Sequence, residues 1–431
     1  MLFRRRHHLR RPHRDWRAVL HLLGPGLITG ASDDDPSGIA TYSQAGAQFG
    51  FNLTWVMLFT WPLMAAIQEI SARIGLVTGK GIAANLREHY PVSLLRGMIA
   101  LLLVANFINL GADLGAMGDA LRLLVGGPRG LYVLLFAAFC TTLEIYASYR
   151  RYVAYLKWTT LSLFAYVAAA LTIKVPWGEV AYDTVVPHFL WQTDYVVVIV
   201  AVLGTTISPY LFFWQASEEA EDERVDPKAH PLVDAPQEAP AQIRRIEIDT
   251  YIGMGLSNLV AFFIIVTTAA TLHLHGITDV QTSEQAAEAL RPIAGAFAFY
   301  VFALGIIGTG LLAIPVLSGS AAYALAEAMN WQAGLSLEPH QAKRFYATIV
   351  GGTVIGIGIN FVGLDPIKAL FWTAVINGVV AVPLMILMMV MTMQPKVMGR
   401  FTLPRWLHYT GWASTAAMAV AVAVMFATWG G

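Results

Sequence analysis

Eleven apolar stretches, each near or above the length of about 20 residues that a helix needs to cross a bilayer, recur along the chain. They lie near 18–47, 53–77, 93–125, 131–148, 153–174, 194–217, 245–271, 292–330, 342–361, 367–393 and 406–429. Few folds accommodate such a pattern, because lipid leaves every backbone polar group to be satisfied inside its own segment. Composition agrees. Of the 431 residues, 56% are hydrophobic and 13% charged, whereas soluble domains are about a quarter charged. An ordinary cytosolic globule, a disordered chain and a nucleic-acid binder are excluded. The single cysteine, Cys140, sits in an apolar run and excludes a disulfide scaffold or a thiolate cluster. The expectation is an all-α, polytopic membrane protein with 11 transmembrane helices. Several segments exceed the minimum span, which requires tilt or a break.

An odd number of spans sets the two ends of the chain on opposite faces. With the first face cytoplasmic, all but five of the 28 Lys and Arg residues fall at or near the inner side. The exceptions are Arg122, Arg129, Lys174, Arg291 and Lys368. The opposite orientation moves nearly all positive charge across the bilayer. The expectation is therefore a multi-pass protein of the cell (inner) membrane, N-terminus cytoplasmic and C-terminus outside. Residues 1–17 read as a basic cytoplasmic tail, and 217–244 as an acidic, proline-containing inner loop, a solvated linker.

Two segments are interrupted at mid-span. Segment 1 carries Gly30-Ala31-Ser32-Asp33-Asp34-Asp35-Pro36-Ser37-Gly38, and segment 6 carries Thr205-Thr206-Ile207-Ser208-Pro209. Each Asp near the centre of a transmembrane helix costs roughly 2.5–3.5 kcal/mol on insertion scales. An unbroken lipid-facing helix does not hold three. Asp35-Pro36 and Ser208-Pro209 each place a capping side chain before a proline, the pattern of a helix start. The preceding half ends there and leaves its last carbonyls without intrahelical partners. Irregular backbone at this depth is tolerated only where it is buried in protein or lines a wet cavity. Paired breaks in corresponding segments point to the central site of a transporter, if segments 1–5 and 6–10 form an inverted repeat.

The donors at the breaks are oxygens. They comprise the Asp35 carboxylate, with Asp33 and Asp34 beside it, the Ser208 hydroxyl, and carbonyls such as those of Thr205 and Thr206. No Lys, Arg, His, Cys or Met lies at either break. The field therefore favours a cation, and oxygen-only donors suit hard ions such as Mg²⁺, Mn²⁺ and Ca²⁺. In segment 3, Asn109 and Asp113 share one helical face four residues apart, and a mid-span Asp is a functional candidate. Glu69 and Arg73 read as a structural ion pair near the inner end of segment 2, and Asn258, Asn360 and Asn377 as interhelical hydrogen-bonding groups. The Met385–Met393 run and Cys140 read as packing. No nucleophile–base pair or cofactor motif is present, so neither an enzyme nor a resident cofactor is expected.

These residues resemble a family. Gly24-Pro25-Gly26, Asp35-Pro36, Gln44-Ala45-Gly46-Ala47-Gln48-Phe49-Gly50 and Gln68-Glu69-Ile70-Ser71-Ala72-Arg73-Ile74-Gly75 look like the Nramp divalent-metal transporters. The likeness is dense over segments 1–2, recurs around segment 6 and is loose elsewhere. It implies two inverted five-helix repeats with broken helices 1 and 6, plus one extra helix. On this chain the repeats would occupy 18–174 and 194–393, with helix 11 at 406–429.

The departures from the family pattern matter. Asp-Pro-Gly-Asn becomes Asp35-Pro36-Ser37-Gly38, which keeps the Asp and loses the Asn ligand. Met-Pro-His-Asn becomes Ser208-Pro209-Tyr210-Leu211, which loses the thioether and the imidazole. The family's helix-6 carbonyl ligand maps to Thr205. This pattern is similar to the bacterial Nramp-related magnesium transporters, whose ion is thought to bind largely hydrated. The resemblance implies import of divalent cations, Mg²⁺ first and Mn²⁺ with it, by alternating access. Asp35, Thr205, Ser208 and Asp113 form the expected site, with Asp33, Asp34, Thr206 and Asn109 in reserve. A monomer in the lipid bilayer is expected, with the metal ion as its substrate. The alternatives are a proton-coupled Mn²⁺/Fe²⁺ importer and a non-transporting metal sensor.

Overall fold

The computed structural model describes residues 25–146, 163–226, 229–291, 295–361, 363 and 365–429. Among the described residues there is no strand. The helices in chain order are α1 (Pro25–Asp33), α2 (Pro36–Phe49), α3 (Thr54–Thr78), α4 (Ile82–His89), α5 (Val92–Val125) and α6 (Arg129–Tyr146). There follow α7 (Phe164–Thr172), α8 (Trp177–Val185), α9 (Thr193–Thr206), α10 (Pro209–Val225), α11 (Ala239–Thr271) and α12 (Ser283–Glu288). The series closes with α13 (Ala298–Ala328), α14 (Lys343–Ile359), α15 (Pro366–Thr392), α16 (Pro395–Met398) and α17 (Arg405–Thr428).

Among the described residues, 8 helical stretches are long and apolar enough to cross a membrane. The first, Pro36–Thr78, runs α2 into α3 through a 3-10 turn at Gly50–Leu53. α14 has 17 residues, and α7 is described only from Phe164. With these, each of the eleven expected segments meets a helix. The earlier part of segment 5, residues 18–24 of segment 1 and the 1–17 tail lie outside the described residues, as do Arg150, Arg151, Lys157 and Lys228.

The two broken helices run in opposite directions. Gln44 and Gln48, near the end of α2, line the same cavity as Thr193 and Asp194 at the start of α9. The first broken helix thus ends at the face where the second begins, as an inverted repeat demands. We call this the far face, and the face where α1 begins the near face. α11 packs along α1, α2 and α3, α13 along α5, and α9 along α15. Small residues bring the backbones together, as in other membrane helix pairs. A Cβ on Gly30 would lie 2.3 Å from the Gly253 carbonyl carbon, and one on Gly204 2.5 Å from the Gly378 nitrogen. The Met385, Met388, Met389 and Met391 side chains and Cys140 are buried in the core. Glu69 and Arg73 form the expected ion pair at 2.7 Å, and Asn360 donates to the Gly111 carbonyl across α14 and α5.

One expectation fails in part. The acidic stretch 217–244 is a solvated linker only between its helical ends, where Asp226 and Asp234 are exposed, because α10 stays helical to Val225 and α11 starts at Ala239. Glu219, Glu221 and Glu223 are buried. Glu219 pairs with Arg245 on α11. Glu221 accepts the Tyr323 hydroxyl and the backbone N–H groups of Leu335 (3.2 Å) and Ser336 (2.6 Å). Partners on other helices turn this acidic run into a packed helix end. Composition within the run itself carries no sign of them.

Candidate metal centre

α1 ends at Asp33, the chain is non-helical at Asp34 and Asp35, and α2 restarts at Pro36. Asp35 occupies the N-cap with extended backbone, and its Oδ1 accepts the Gly38 N–H (2.8 Å) and the Ser37 hydroxyl (2.6 Å). Pro36 has no N–H to lose at this first helical position. The other oxygen, Oδ2, looks across the bundle. It accepts Asn109 Nδ2 from α5 and the Tyr210 hydroxyl from α10, each at 3.2 Å. Tyr210 also donates to the Ser32 carbonyl (3.1 Å), so one phenol spans both ends of the first break.

The second break lies against the first. α9 ends at Thr206 and α10 starts at Pro209. A Cβ on Gly38 would stand 3.3 Å from Thr205 Oγ1 and 3.2 Å from the Asp33 carbonyl oxygen. Ser208 has N-cap backbone geometry, but its side chain makes no cap bond to α10, contrary to expectation. The hydroxyl turns back and donates to the Gly204 (2.7 Å) and Thr205 (2.9 Å) carbonyls. A hydroxyl can donate where a carboxylate cannot, and the last carbonyls of α9 lack intrahelical donors. Thr206 likewise bonds back to the Val202 carbonyl (2.9 Å).

Asp113 is fully buried, and neither of its carboxylate oxygens has a hydrogen-bond partner. It lies within electrostatic reach of Asp35 and Tyr210. On α5 it stands four residues, or about 6 Å of helix, beyond Asn109 toward the far face. An unpaired buried carboxylate is costly, which makes Asp113 the most demanding group at this depth.

The acidic triplet divides. Asp35 turns toward α5 and α10, whereas Asp33 and Asp34 turn to Ser257 on α11. The Ser257 hydroxyl reaches Asp33 Oδ2 at 2.6 Å and Asp34 Oδ1 at 3.2 Å. Among the described residues no Lys or Arg pairs with Asp33, Asp34, Asp35 or Asp113. Nor do three His, Cys, Asp or Glu side chains converge with metal-ligand spacing. The structure therefore brings Asp35, Asn109, Tyr210 and Thr205 together, with Asp113 nearby, and sets Asp33 and Asp34 aside. Sequence reasoning misses Ser257 and Ser37. Ser37 is legible as the residue two beyond the cap, but Ser257 has no local signal.

Access differs between the faces. A cavity of about 550 Å³ opens at the far face and reaches Ala40, one turn beyond Pro36. The near face is closed by cross-links. Thr29 donates to Gln215 (2.5 Å), Gln68 to the Leu211 carbonyl (2.9 Å), and the Gly26 N–H to Asp249 (2.7 Å). Arg73, paired with Glu69, also reaches Glu247 at 2.8 Å. These bonds tie α1, α3, α10 and α11 together below the breaks.

The chain resembles known proteins in sequence and fold. Residues 26–428 match the family described as natural resistance-associated macrophage protein-like. The chain is 25% identical over 409 residues to the divalent metal cation transporter MntH of Klebsiella pneumoniae (strain 342), covering 92% of this chain and 91% of that one. It is 27% identical over 375 residues to the divalent metal cation transporter MntH of Acidiphilium cryptum (strain JF-5), covering 84% and 79%. The fold resembles a manganese transporter of Eremococcus coleocola solved with an aromatic bis-isothiourea compound. That match has a TM-score of 0.76 at 16% identity and covers 98% of this chain and 90% of the other.

Proposed function

The chain belongs to the natural resistance-associated macrophage protein-like (Nramp) family, and from that premise we propose that it carries Mn²⁺, and Mg²⁺ with it, through the junction of its two broken helices. Manganese comes first because the similar proteins are named for divalent metal and manganese transport. That order reverses the one implied by the resemblance to the Nramp-related magnesium transporters. Magnesium stays in the reading because the junction offers only oxygen, and a thioether that would select against hard ions is absent. The observation that carries the proposal is the position of Asp35. Its Oδ2 faces α5 and α10, and the buried Asp113 carboxylate without a hydrogen-bond partner lies in electrostatic reach.

On arrival, a cation's attraction to Asp35 and Asp113 replaces the weak, 3.2 Å bonds that Asn109 and Tyr210 make to Oδ2. Thr205 supplies its carbonyl and Ser208 its hydroxyl. With so few direct ligands, water completes the shell, which suits a strongly hydrated ion. Asp33 and Asp34 add negative potential from the α11 side, and Thr206 closes the end of α9. The far-face cavity leads toward this position and stops at Ala40, so the first turn of α2 must open for the ion to enter. Passage to the near face requires α1 and α10 to part from α3 and α11, breaking the Gln68–Leu211 and Gly26–Asp249 bonds. The near face is assigned to the cytoplasm because most Lys and Arg residues lie on that side. Tyr210 stands where the family has His, and a phenol does not exchange its proton near neutral pH, so no obligatory proton movement accompanies the cation.

The test is uptake into proteoliposomes, with a Mn²⁺-quenched dye and a pH dye in the lumen. Saturable Mn²⁺ uptake, competitive inhibition by Mg²⁺ and a constant luminal pH are expected. Mn²⁺ uptake indifferent to Mg²⁺ and accompanied by luminal acidification would establish the proton-coupled Mn²⁺/Fe²⁺ reading instead.

A further inference from the structure

A second cavity, of about 580 Å³, lies at the near face between α4, the end of α10 and the connection from α13 to α14. Its wall includes Arg87, Arg224, Glu327, Trp331 and Gln341. Both arginines are held by backbone carbonyls rather than by carboxylates. Arg87 donates to the Glu327 carbonyl, and its nearest ion pair is a loose one, 3.9 Å to Glu88. Arg224 donates to the carbonyls of Ala220 (3.2 Å) and Ala333 (3.3 Å) and pairs with no acidic side chain among the described residues. Glu327, an acidic group of the same wall, has its carboxylate engaged by the Ser217 hydroxyl (2.9 Å) and the Ala84 N–H (3.2 Å). Gln341 uses its carbonyl oxygen to accept the Glu338 N–H (3.0 Å). Two guanidinium groups, neither in a close ion pair but with Glu88 beside Arg87, Glu223 beside Arg224 and the buried Glu327 within electrostatic reach of both, therefore share one cavity with a partly buried indole. A guanidinium has five N–H donors in a planar fork, and each of these has most of them left over.

We propose that this cavity binds a phosphate-bearing molecule of nucleotide size, its phosphate oxygens on Arg87 and Arg224. Guanidinium forks match phosphate oxygens in geometry and charge, and the volume lies in the range of small-molecule sites. The site goes beyond the cation path and is separate from it. It does, however, touch the same moving part. α10 begins at Pro209, beside Ser208, and ends at Val225, next to Arg224. Glu221 on the same helix holds the Leu335 and Ser336 N–H groups of the connection. A phosphate bridging Arg224 to Arg87 would fasten α10 to α4 and resist its departure when the near face opens.

The experiment is calorimetric titration of the full chain, in phosphatidylcholine nanodiscs and without divalent metal, with ATP and separately with inorganic pyrophosphate. Saturable binding is expected, weakened at least about tenfold by Arg224→Gln and by Arg87→Gln, as for loss of a charge-assisted bond. Gln341→Glu keeps the acceptor for the Glu338 N–H, lies at the surface, and adds a negative charge to the wall. It tests the site even if an arginine variant folds poorly, and weakening is expected here too. A parallel set in phosphatidylglycerol nanodiscs separates the two sources of phosphate. If the lipid displaces ATP with the same dependence on Arg87 and Arg224, the headgroup is the occupant and the phosphate chemistry stands. Asp35→Ala should leave ATP binding unchanged, so failure of the cation path and failure of this site are read separately. No saturable binding of either phosphate, or binding that all three variants leave untouched, overturns the proposal.

Discussion

The two breaks share a sequence grammar, a capping residue followed by proline, yet they solve opposite halves of the same problem. At the first, Asp35 accepts the N–H of the helix that follows. At the second, Ser208 donates to the carbonyls of the helix that precedes. The difference lies in the side chain. A carboxylate is acceptor-only when ionised, whereas a hydroxyl both donates and accepts. One break consequently presents an anion with one oxygen turned to the bundle, where Asn109 and Tyr210 donate to it. The other presents neutral oxygens already bonded to each other. On the proposed reading, attraction for the cation lives at the first break and discrimination at the second.

Three substitutions test that division, in order of expected effect. Asp35→Ala removes the anion and the α2 cap together, and uptake should fall about a hundredfold or more, the equivalent of roughly 3 kcal/mol. Equal loss from Ser208→Ala would erase the distinction between the breaks. Gly38→Ala places a methyl 3.3 Å from Thr205 Oγ1 and Tyr42 Cε2, where the two breaks meet. It should lower Mg²⁺ uptake several-fold more than Mn²⁺ uptake, because Mg²⁺ gives up its waters reluctantly. An equal effect on both ions would argue that water is not retained at the junction. Ser208→Ala should have the smallest effect. Releasing the Gly204 and Thr205 carbonyls should cost about 1 kcal/mol of thermal stability, and loss of one neutral ligand should lower uptake only a few-fold while shifting the Mg²⁺/Mn²⁺ ratio, as read by melting of the purified protein beside flux.

Much of this was legible in sequence because membrane helices declare themselves by length and their breaks by proline. Asn109 and Asp113 stood out as a mid-span polar face on segment 3, although the bond from Asn109 to Asp35 had no signal in the sequence. What stayed hidden were contacts between segments far apart in the chain. Ser257 binds Asp33 and Asp34 from α11 without any motif around it. Glu144 on α6 lies buried against Ser318 of α13 (2.7 Å), and nothing near either residue announces the other. The acidic end of α10 read as solvated because its partners, Arg245, Tyr323 and the 335–336 backbone, lie on other elements. Ser208 misled for another reason. Its position fixed the backbone of a cap, but the hydrogen bond went to whichever neighbour lacked a partner.

The most direct measurement is an anomalous-scattering map of crystals soaked in Mn²⁺. A cation carried at the junction predicts a peak between Asp35, Asp113 and the Thr205 carbonyl, absent from Asp35→Ala crystals. A peak held instead by Asp33, Asp34 and Ser257, or one that persists in the variant, would contradict it.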